Sequence, residues 1–217
     1  MIHAGLEESD FESVAAGQAG RPDAKEIRIA YAGTIIVEEE FALFVRALAR
    51  IRSRLDRPVT LEIFGSHSYQ SREWFDAAWI RERGNLREPE LLQALRQCDW
   101  GFAPMALSDD DPRYNRFSFP TKFISYLAAG LPVITLGHPE SSVVKMAVAY
   151  RVGPCIQSGE AGVLEQELQA AFAVSNAREK FSGEILRCAR SEFDAGRMRK
   201  TLHECFLGCA GKRSRPD

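Results

Sequence analysis

The sequence predicts an α/β fold, a parallel sheet with helices on both faces. Short apolar runs, each of strand length, alternate along the chain with longer segments of helical periodicity. The chain has 217 residues, of which 45% are hydrophobic, enough for one large α/β domain with appendages. Ligands of such sheets bind at the carboxyl ends of the strands, so the residues after each strand are the first candidates for a site.

Each element follows from its local pattern. Strands are predicted where apolar runs are short and bounded by turn residues, at 27–32, 59–64, 78–83, 99–104, 131–134 and 153–157. Helices are predicted where apolar residues recur every three or four positions, at 38–54, 88–97, 120–129, 140–150, 164–172, 177–192 and 195–207. The charged segment 107–116 is predicted to be a loop.

Three parts of the chain are predicted from these patterns. Residues 1–25 have weak periodicity and contain Gly17, Gly20 and Pro22, which indicates an interdomain linker. Residues 26–175 hold the alternating strands and helices of a Rossmann-like domain. Residues 176–217 are closing helices and a polar tail that we expect to fray.

Composition excludes several classes of protein. Lys and Arg total 28 against 30 Asp and Glu, so no strongly basic surface for nucleic acid is indicated. No apolar run approaches the roughly 20 residues of a membrane helix, and no signal peptide is recognisable, so a cytoplasmic protein is predicted. The five cysteines fit no disulfide or zinc pattern and are interpreted as reduced, small apolar residues.

The segment 118–134, SFPTKFISYLAAGLPVI, predicts a helix whose first turn binds phosphate, followed by a buried strand. Pro120 suits the first turn, and either Ser118 or Thr121 could cap the helix. Lys122 adds a positive charge beside backbone N–H groups that already favour anions. Gly130 ends the helix.

Glycines at other strand ends should open onto the same edge of the sheet. Gly33-Thr34 follows the first strand, Gly65 the second and Gly84 the third. A tight turn alone would explain Gly33, but close approach of a ligand is the favoured interpretation. The G-x-G-x-x-G fingerprint is missing from this turn, so the sequence gives no support for a redox dinucleotide, and no cofactor is predicted.

Charged residues before the phosphate helix leave alternatives open. The run 109–111 is Asp-Asp-Asp and could hold a divalent ion, but consecutive acids in a loop are more often solvated, so no metal is predicted. Arg113 and Arg116 either clamp phosphate or neutralise that run. Phe117 and Tyr114 either wall a sugar or cover the core.

The order of these motifs resembles the carboxyl-terminal half of GT-B glycosyltransferases, in particular the retaining family 4 group. The resemblance covers roughly residues 27–175. It rests on strand-Gly-Thr followed by a helix, on LEIFG at 61–65, on IRERGNLREPELL at 80–92, on CDWGFAP at 98–104, on AAGLPVI at 128–134 and on YRVG at 150–153. The AAGLPVI segment is the most specific of these matches.

The resemblance implies that this half binds a nucleotide-diphosphate sugar, such as a UDP-sugar, without a metal. The Gly33-Thr34 turn and Lys122 would then meet the diphosphate, with Lys122 as the catalytic residue. Binding residues carried over from the family, or placed beside its site, are Gly65, Gly84, Asn85, Leu86, Arg113, Arg116, Phe117, Ser118, Thr121 and Ser125. Among these, Gly84 to Leu86 would meet the base, and Ser125 the ribose.

Two departures from the family pattern stand out. Many members carry two glutamates eight residues apart, where this chain has Phe117 and Ser125, so recognition of ribose by a carboxylate is in doubt. A branch with a Ser-x-Pro-x-Lys helix start exists, and this chain looks closer to it. In the family, the loop after the first strand usually supplies a basic residue, but here the acidic run 38–40 follows.

The amino terminus bears on activity. Residues 2–11, IHAGLEESDF, resemble the junction from the amino-terminal domain into the linker, so we expect the acceptor-binding domain to be missing and the isolated chain to be inactive. An acceptor at a membrane surface is left open. Two alternatives to a sugar transferase are a nucleotide-sugar epimerase of the same architecture and a non-catalytic domain that binds a nucleotide sugar or a partner protein.

Overall fold

A six-stranded, entirely parallel sheet forms the centre of the molecule. The computed structural model describes residues 5–17 and 25–211, and the predictions that concern other positions lie outside them. In chain order the strands are β1 (Ile27–Ala32), β2 (Val59–Phe64), β3 (Ile80–Gly84), β4 (Trp100–Pro104), β5 (Val133–Leu136) and β6 (Cys155–Ile156). Across the sheet they lie in the order β3-β2-β1-β4-β5-β6. Every predicted strand is present, within a few residues of its expected bounds.

Helices connect and surround these strands. They are α1 (Glu8–Gly17), α2 (Glu38–Ile51), α3 (Glu88–Leu95), α4 (Pro112–Phe117), α5 (Thr121–Ala128), α6 (Ser142–Tyr150), α7 (Ala161–Phe172), α8 (Ala177–Phe193) and α9 (Ala195–Gly211). A short 3-10 turn, Arg52–Arg54, extends α2. Not one of the helices in the described ranges is long and apolar enough to cross a membrane.

Side chains that alternate along each strand build a core on both faces of the sheet. Ile27, Ile29 and Tyr31 of β1 pack with α2 and α7, whereas Ala30 and Ala32 pack with residues of α1, α3, α5, α6 and α8. A strand that is buried on both faces must be apolar almost throughout, which is why β4 reads as a continuous apolar run and β1 is interrupted only by the half-buried Arg28. The predicted α/β fold with helices on both faces is therefore confirmed.

The segment predicted as an interdomain linker contains a helix. Phe11 and Val14 of α1 are fully buried against the core, and Leu6 forms a parallel β-bridge with Asp194. Because only a few apolar residues face inward, the sequence showed little helical periodicity. Residues 1–4 and 18–24 of that segment lie outside the described ranges.

The segment predicted as a charged loop ends in a short helix, so that prediction is wrong for its second half. The Asp111 carboxylate caps α4 by accepting hydrogen bonds from the backbone N–H groups of Arg113 and Tyr114 at 3.1 Å each. Pro112 occupies the first helical position, where its missing N–H costs nothing. The cap signal was visible in the sequence but was obscured by the run of three acids.

A buried arginine fastens α8 to the sheet domain. The Arg178 guanidinium is 2% exposed and donates hydrogen bonds to the carbonyl oxygens of Arg96, Cys98 and Ala129 at 2.6 to 2.9 Å. These carbonyls follow the last turns of α3 and α5, where helix dipoles favour a cation. Helix α8 is therefore packed onto the sheet domain and is not a detached appendage.

Candidate functional site

The sheet changes direction between β1 and β4. From β1 the chain moves outward to β2 and β3 on one side, and it returns to build β4, β5 and β6 on the other. Connections that leave in opposite directions open a crevice at the carboxyl ends of the two strands, which is where ligands of such sheets bind. Here β1 and β4 pair only at Ile29–Ala30 with Trp100–Gly101, and they diverge beyond that point.

A cleft of about 320 Å³ occupies this position. Its walls come from the end of β1 and the loop after it, from the end of β4, and from the residues that enter α5. The lining residues are Tyr31, Ala32, Gly33, Thr34, Ile36, Val37, Pro104, Met105, Tyr114, Ser118, Phe119, Pro120, Thr121 and Lys122. Only Lys122 in this set carries a charge, so the cleft is suited to an anion.

A glycine turn forms one wall of the cleft. Gly33 has a φ of 98°, a conformation that residues with a side chain rarely adopt, and its missing Cβ leaves the backbone accessible. The Tyr31 hydroxyl donates a hydrogen bond to the Thr34 carbonyl oxygen at 2.8 Å, which fixes the turn. The Thr34 hydroxyl lies 3.5 Å from His67 Nδ1, so this histidine lies at the edge of the site.

Lys122 reaches into the cleft from the first turn of α5. Its Nζ lies 4.8 Å from the centre of the Tyr31 ring, in cation–π geometry. Burial lowers the pKa of the Lys122 ammonium from 10.5 to about 8. Within residues 5–17 and 25–211, Lys122 forms no ion pair. Lys122 is partly buried, and a partly desolvated ammonium without a counter-charge is costly, so an anionic ligand would remove that cost.

The start of α5 lacks the side-chain cap that was predicted. Pro120 occupies the N-cap position, and neither Ser118 nor Thr121 accepts a hydrogen bond from the first-turn N–H groups. Instead, the Ser118 carbonyl accepts a hydrogen bond from the Ser142 hydroxyl, which ties this segment to α6. An uncapped first turn leaves backbone donors available beside Lys122.

Gly65 and Gly84 extend the same edge away from the cleft. The Gly65 N–H donates to the Gly84 carbonyl oxygen at 2.9 Å, and the Gly33 N–H donates to the Phe64 carbonyl oxygen at 2.7 Å. The three glycine turns therefore lie side by side across β1, β2 and β3. Asn85 is exposed beyond them, and Leu86 is half-buried against the core.

The remaining predicted residues lie outside the cleft lining. Arg113 is exposed on α4, and Arg116 is also exposed there, with its Nε 3.8 Å from the Glu140 carboxylate. Phe117 is 67% exposed at the end of α4, so it does not cover the core. Ser125 is half-buried on α5, one turn after Lys122. The binding roles of these residues stay predictions.

Two of the three acids before α4 have structural partners. Asp111 caps the helix, and the Asp109 carboxylate accepts a hydrogen bond from the Asn115 side chain at 3.1 Å. No group of three or more metal-ligating side chains occurs in the described part of the chain. Asp109 also lies 4.0 Å from His138 Nδ1, which in turn accepts a hydrogen bond from the Glu140 N–H.

Sequence reasoning missed Tyr31 as a site residue. Tyr31 belongs to a mainly apolar strand, and nothing local distinguishes it from a core residue. Its position next to the Ala-Gly-Thr turn, at the carboxyl end of β1, was the available signal.

A larger groove, of about 820 Å³, lies apart from this cleft, between α2 and residues 71–74. Its charged lining comprises Glu38, Glu39, Arg46, Arg72 and Glu73, and the Arg72 guanidinium lies 3.1 Å from the Glu38 carboxylate. With acids in the majority and one arginine neutralised, this groove is poorly suited to an anion. The smaller cleft therefore remains the candidate site.

Residues 26–174 match the sequence profile of the family described as glycosyl transferases group 1. The chain belongs to this family. The match spans the whole sheet domain, and it does not favour the epimerase alternative. No curated protein sequence matches the chain significantly.

Solved glycosyltransferase structures share the fold. Sucrose-phosphate synthase from Thermosynechococcus elongatus superposes with a TM-score of 0.71 at 14% identity, over 97% of this chain and 52% of that chain. The UDP-forming α,α-trehalose-phosphate synthase from Burkholderia vietnamiensis superposes with a TM-score of 0.66 at 13% identity, over 99% of this chain and 52% of that chain. HepE from Anabaena, solved with UDP and glucose, superposes with a TM-score of 0.61 at 13% identity, over 94% of this chain and 53% of that chain. At these identities the likeness shows the Rossmann-like fold of a GT-B half. This chain spans about half the length of those three structures.

Proposed function

We propose that this chain is the donor-binding half of a glycosyltransferase that uses a nucleoside-diphosphate sugar. The observation that carries the proposal is Lys122, a partly buried ammonium that no carboxylate in the described ranges pairs with, at the switch point of the sheet. Family membership supports the reaction class. UDP is the nucleotide bound by HepE, which makes UDP the first ligand to test.

The cleft suggests how the nucleotide would lie. The diphosphate would rest between the Gly33-Thr34 turn and the start of α5, where backbone N–H groups and Lys122 supply positive potential. The nucleoside would extend across the neighbouring strand ends toward Gly84, because the three glycine turns form a continuous edge. Such a pose uses the edge predicted from the sequence.

Lys122 would also assist the chemistry. When the bond between the sugar carbon and the phosphate oxygen breaks, the electron pair stays on the diphosphate, whose negative charge increases. A fixed ammonium and backbone donors stabilise that charge more strongly in the transition state than in the ground state. No metal ion is needed in this scheme, since Asp109 and Asp111 already serve the local structure.

Calorimetry tests the proposal. We expect UDP and a UDP-sugar to bind the purified chain, and we expect the affinity of each to be the same before and after exhaustive treatment with EDTA. Uridine, which lacks phosphate, should bind more weakly. Guanosine and adenosine diphosphates are the matched comparison for the base. Absence of binding by all nucleoside diphosphates would refute the proposed function, whereas binding that disappears with EDTA would refute only the metal-free scheme.

A further inference from the structure

A buried tyrosine hydroxyl fills the gap where the two central strands separate. The register of β1 with β4 ends at Ala30 and Gly101. Because the Gly33 N–H bonds to β2, the alternation of the strand points the Ala32 N–H toward β4. Beyond the last pair, the Ala32 N–H and the Phe102 carbonyl oxygen have no partner in the ladder between these strands.

Tyr126 of α5 supplies the partner for both groups. Its hydroxyl accepts a hydrogen bond from the Ala32 N–H at 2.9 Å and donates one to the Phe102 carbonyl oxygen at 3.1 Å. The side chain is completely buried, and burial raises the pKa of the hydroxyl well above its usual value, so it remains a protonated donor. One oxygen thus joins β1, β4 and α5 at the base of the cleft.

The backbone of β4 makes room for this side chain. A Cβ built on Gly101 would lie 2.5 Å from the Tyr126 ring, so only glycine permits the ring to reach the gap. Lys122 lies four residues earlier on the same helix, one turn above Tyr126 and on the same face. Gly33 directly follows the strand end that Tyr126 holds.

We propose that Tyr126 is a positioning residue, whose hydroxyl holds Lys122 and the Gly33 turn at the separation needed to bind a diphosphate. This inference rests on the proposed function. Tyr126 does not line the cleft and would act through the two elements that do. Its bonds go to backbone groups of both central strands, so loss of the oxygen leaves the strand ends free to shift relative to α5.

Tyr126→Phe tests the proposal because it removes the oxygen and keeps the ring. We expect amide hydrogen exchange at Ala32 to accelerate in the unliganded variant. We also expect the affinity for UDP to fall on the order of tenfold, because small displacements of binding groups carry such penalties, while the affinity for uridine changes little. Tyr150→Phe is the matched control, since Tyr150 bonds to Glu192 and lies outside the cleft lining.

The outcomes separate the two proposals. If wild type binds UDP and Tyr126→Phe binds it equally, or loses UDP and uridine in equal proportion, the positioning role is refuted and the proposed function stands. If wild type binds no nucleoside diphosphate, the proposed function fails and the ligand-positioning role fails with it. Should Tyr126→Phe prove too unstable at the temperature of the titration, the same titrations at a lower temperature, at which circular dichroism shows the variant folded, must give the selective loss of UDP.

Discussion

At the scale of single residues, the candidate site depends on one partly buried cation, Lys122. Lys122 is the only charged side chain among the described residues that line the cleft, and its environment disfavours the charge. The sequence identified this residue because lysine in a first helical turn adds a positive charge beside backbone N–H groups that already favour anions. What the sequence could not supply was the Tyr31 ring beneath the ammonium, a contact that depends on how the helix lies across the sheet.

Replacing this lysine should affect binding more than stability. We predict that Lys122→Ala lowers the affinity for UDP between tenfold and a hundredfold, the equivalent of about 1.5–3 kcal/mol for a charge-assisted contact. Lys122→Arg should restore part of the loss, because a planar guanidinium replaces a compact ammonium imperfectly. Lys145→Ala, which removes an exposed lysine paired with Glu140, is the control. Equal UDP affinities in wild type and Lys122→Ala, measured by calorimetry, would contradict the role.

The lowered pKa of Lys122 predicts how binding depends on pH. Without a ligand, the Lys122 ammonium loses its proton as the pH rises through about 8. A bound diphosphate favours the protonated ammonium and therefore raises the pKa of Lys122. UDP is fully ionised above its phosphate pKa of about 6, so from pH 7 to pH 9 the affinity should fall about tenfold. Lys122→Arg stays charged in this range and should show a flat profile. A flat profile in wild type would show that Lys122 does not bind the diphosphate as a cation.

At the scale of helices and strands, local patterns predicted the strands better than the helix ends. Most strands were located from a short, mainly apolar run, because a strand buried on both faces has few polar residues. Strand β3 is different, since it lies at the edge of the sheet and most of its residues are polar and exposed. Helix α4 and the missing cap of α5 were mispredicted, because Asp, Ser and Thr can each cap a helix and only tertiary packing selects among them. Helix α1 was not predicted, because its buried residues are few and the helices it packs against, α5 and α8, lie far away in the sequence.

The attachment of α8 predicts a specific sensitivity. We predict that Arg178→Met lowers the free energy of unfolding by about 2–4 kcal/mol, since three carbonyl oxygens lose a charged donor in a buried position. Arg187→Met, on the exposed side of the same helix, should change it by less than about 1 kcal/mol. Urea denaturation measures both. A loss no larger than that of the control would show that α8 is held by its apolar contacts alone.

At the scale of the whole molecule, the order of the elements was predictable from the sequence, and with it the edge of the sheet on which a site would form. It could not give the shape of the cleft, because that shape depends on where β1 and β4 diverge. The structure also places Arg113, Arg116 and Phe117 outside the lining, although they precede the phosphate helix directly in sequence. Proximity along the chain was a poor guide there, since α4 carries these side chains away from the cleft.

The length of the chain relative to its structural neighbours leads to a prediction about activity. Because it spans about half of those structures, we predict that the chain binds a UDP-sugar but transfers and hydrolyses it no faster than background. A radiolabelled donor with a panel of acceptors measures both reactions. Turnover well above background, abolished by Lys122→Ala, would show that this chain alone forms a complete active site.

A crystal structure of the chain with UDP tests the central claim most directly. The account predicts the diphosphate in the cleft between β1 and β4, with a phosphate oxygen within hydrogen-bonding distance of Lys122 Nζ and of the Thr34 backbone N–H. A second groove, of about 630 Å³, lies at the opposite edge of the sheet and is lined by Arg54 and Arg57. UDP bound there, with the Lys122 cleft unoccupied, would contradict the account.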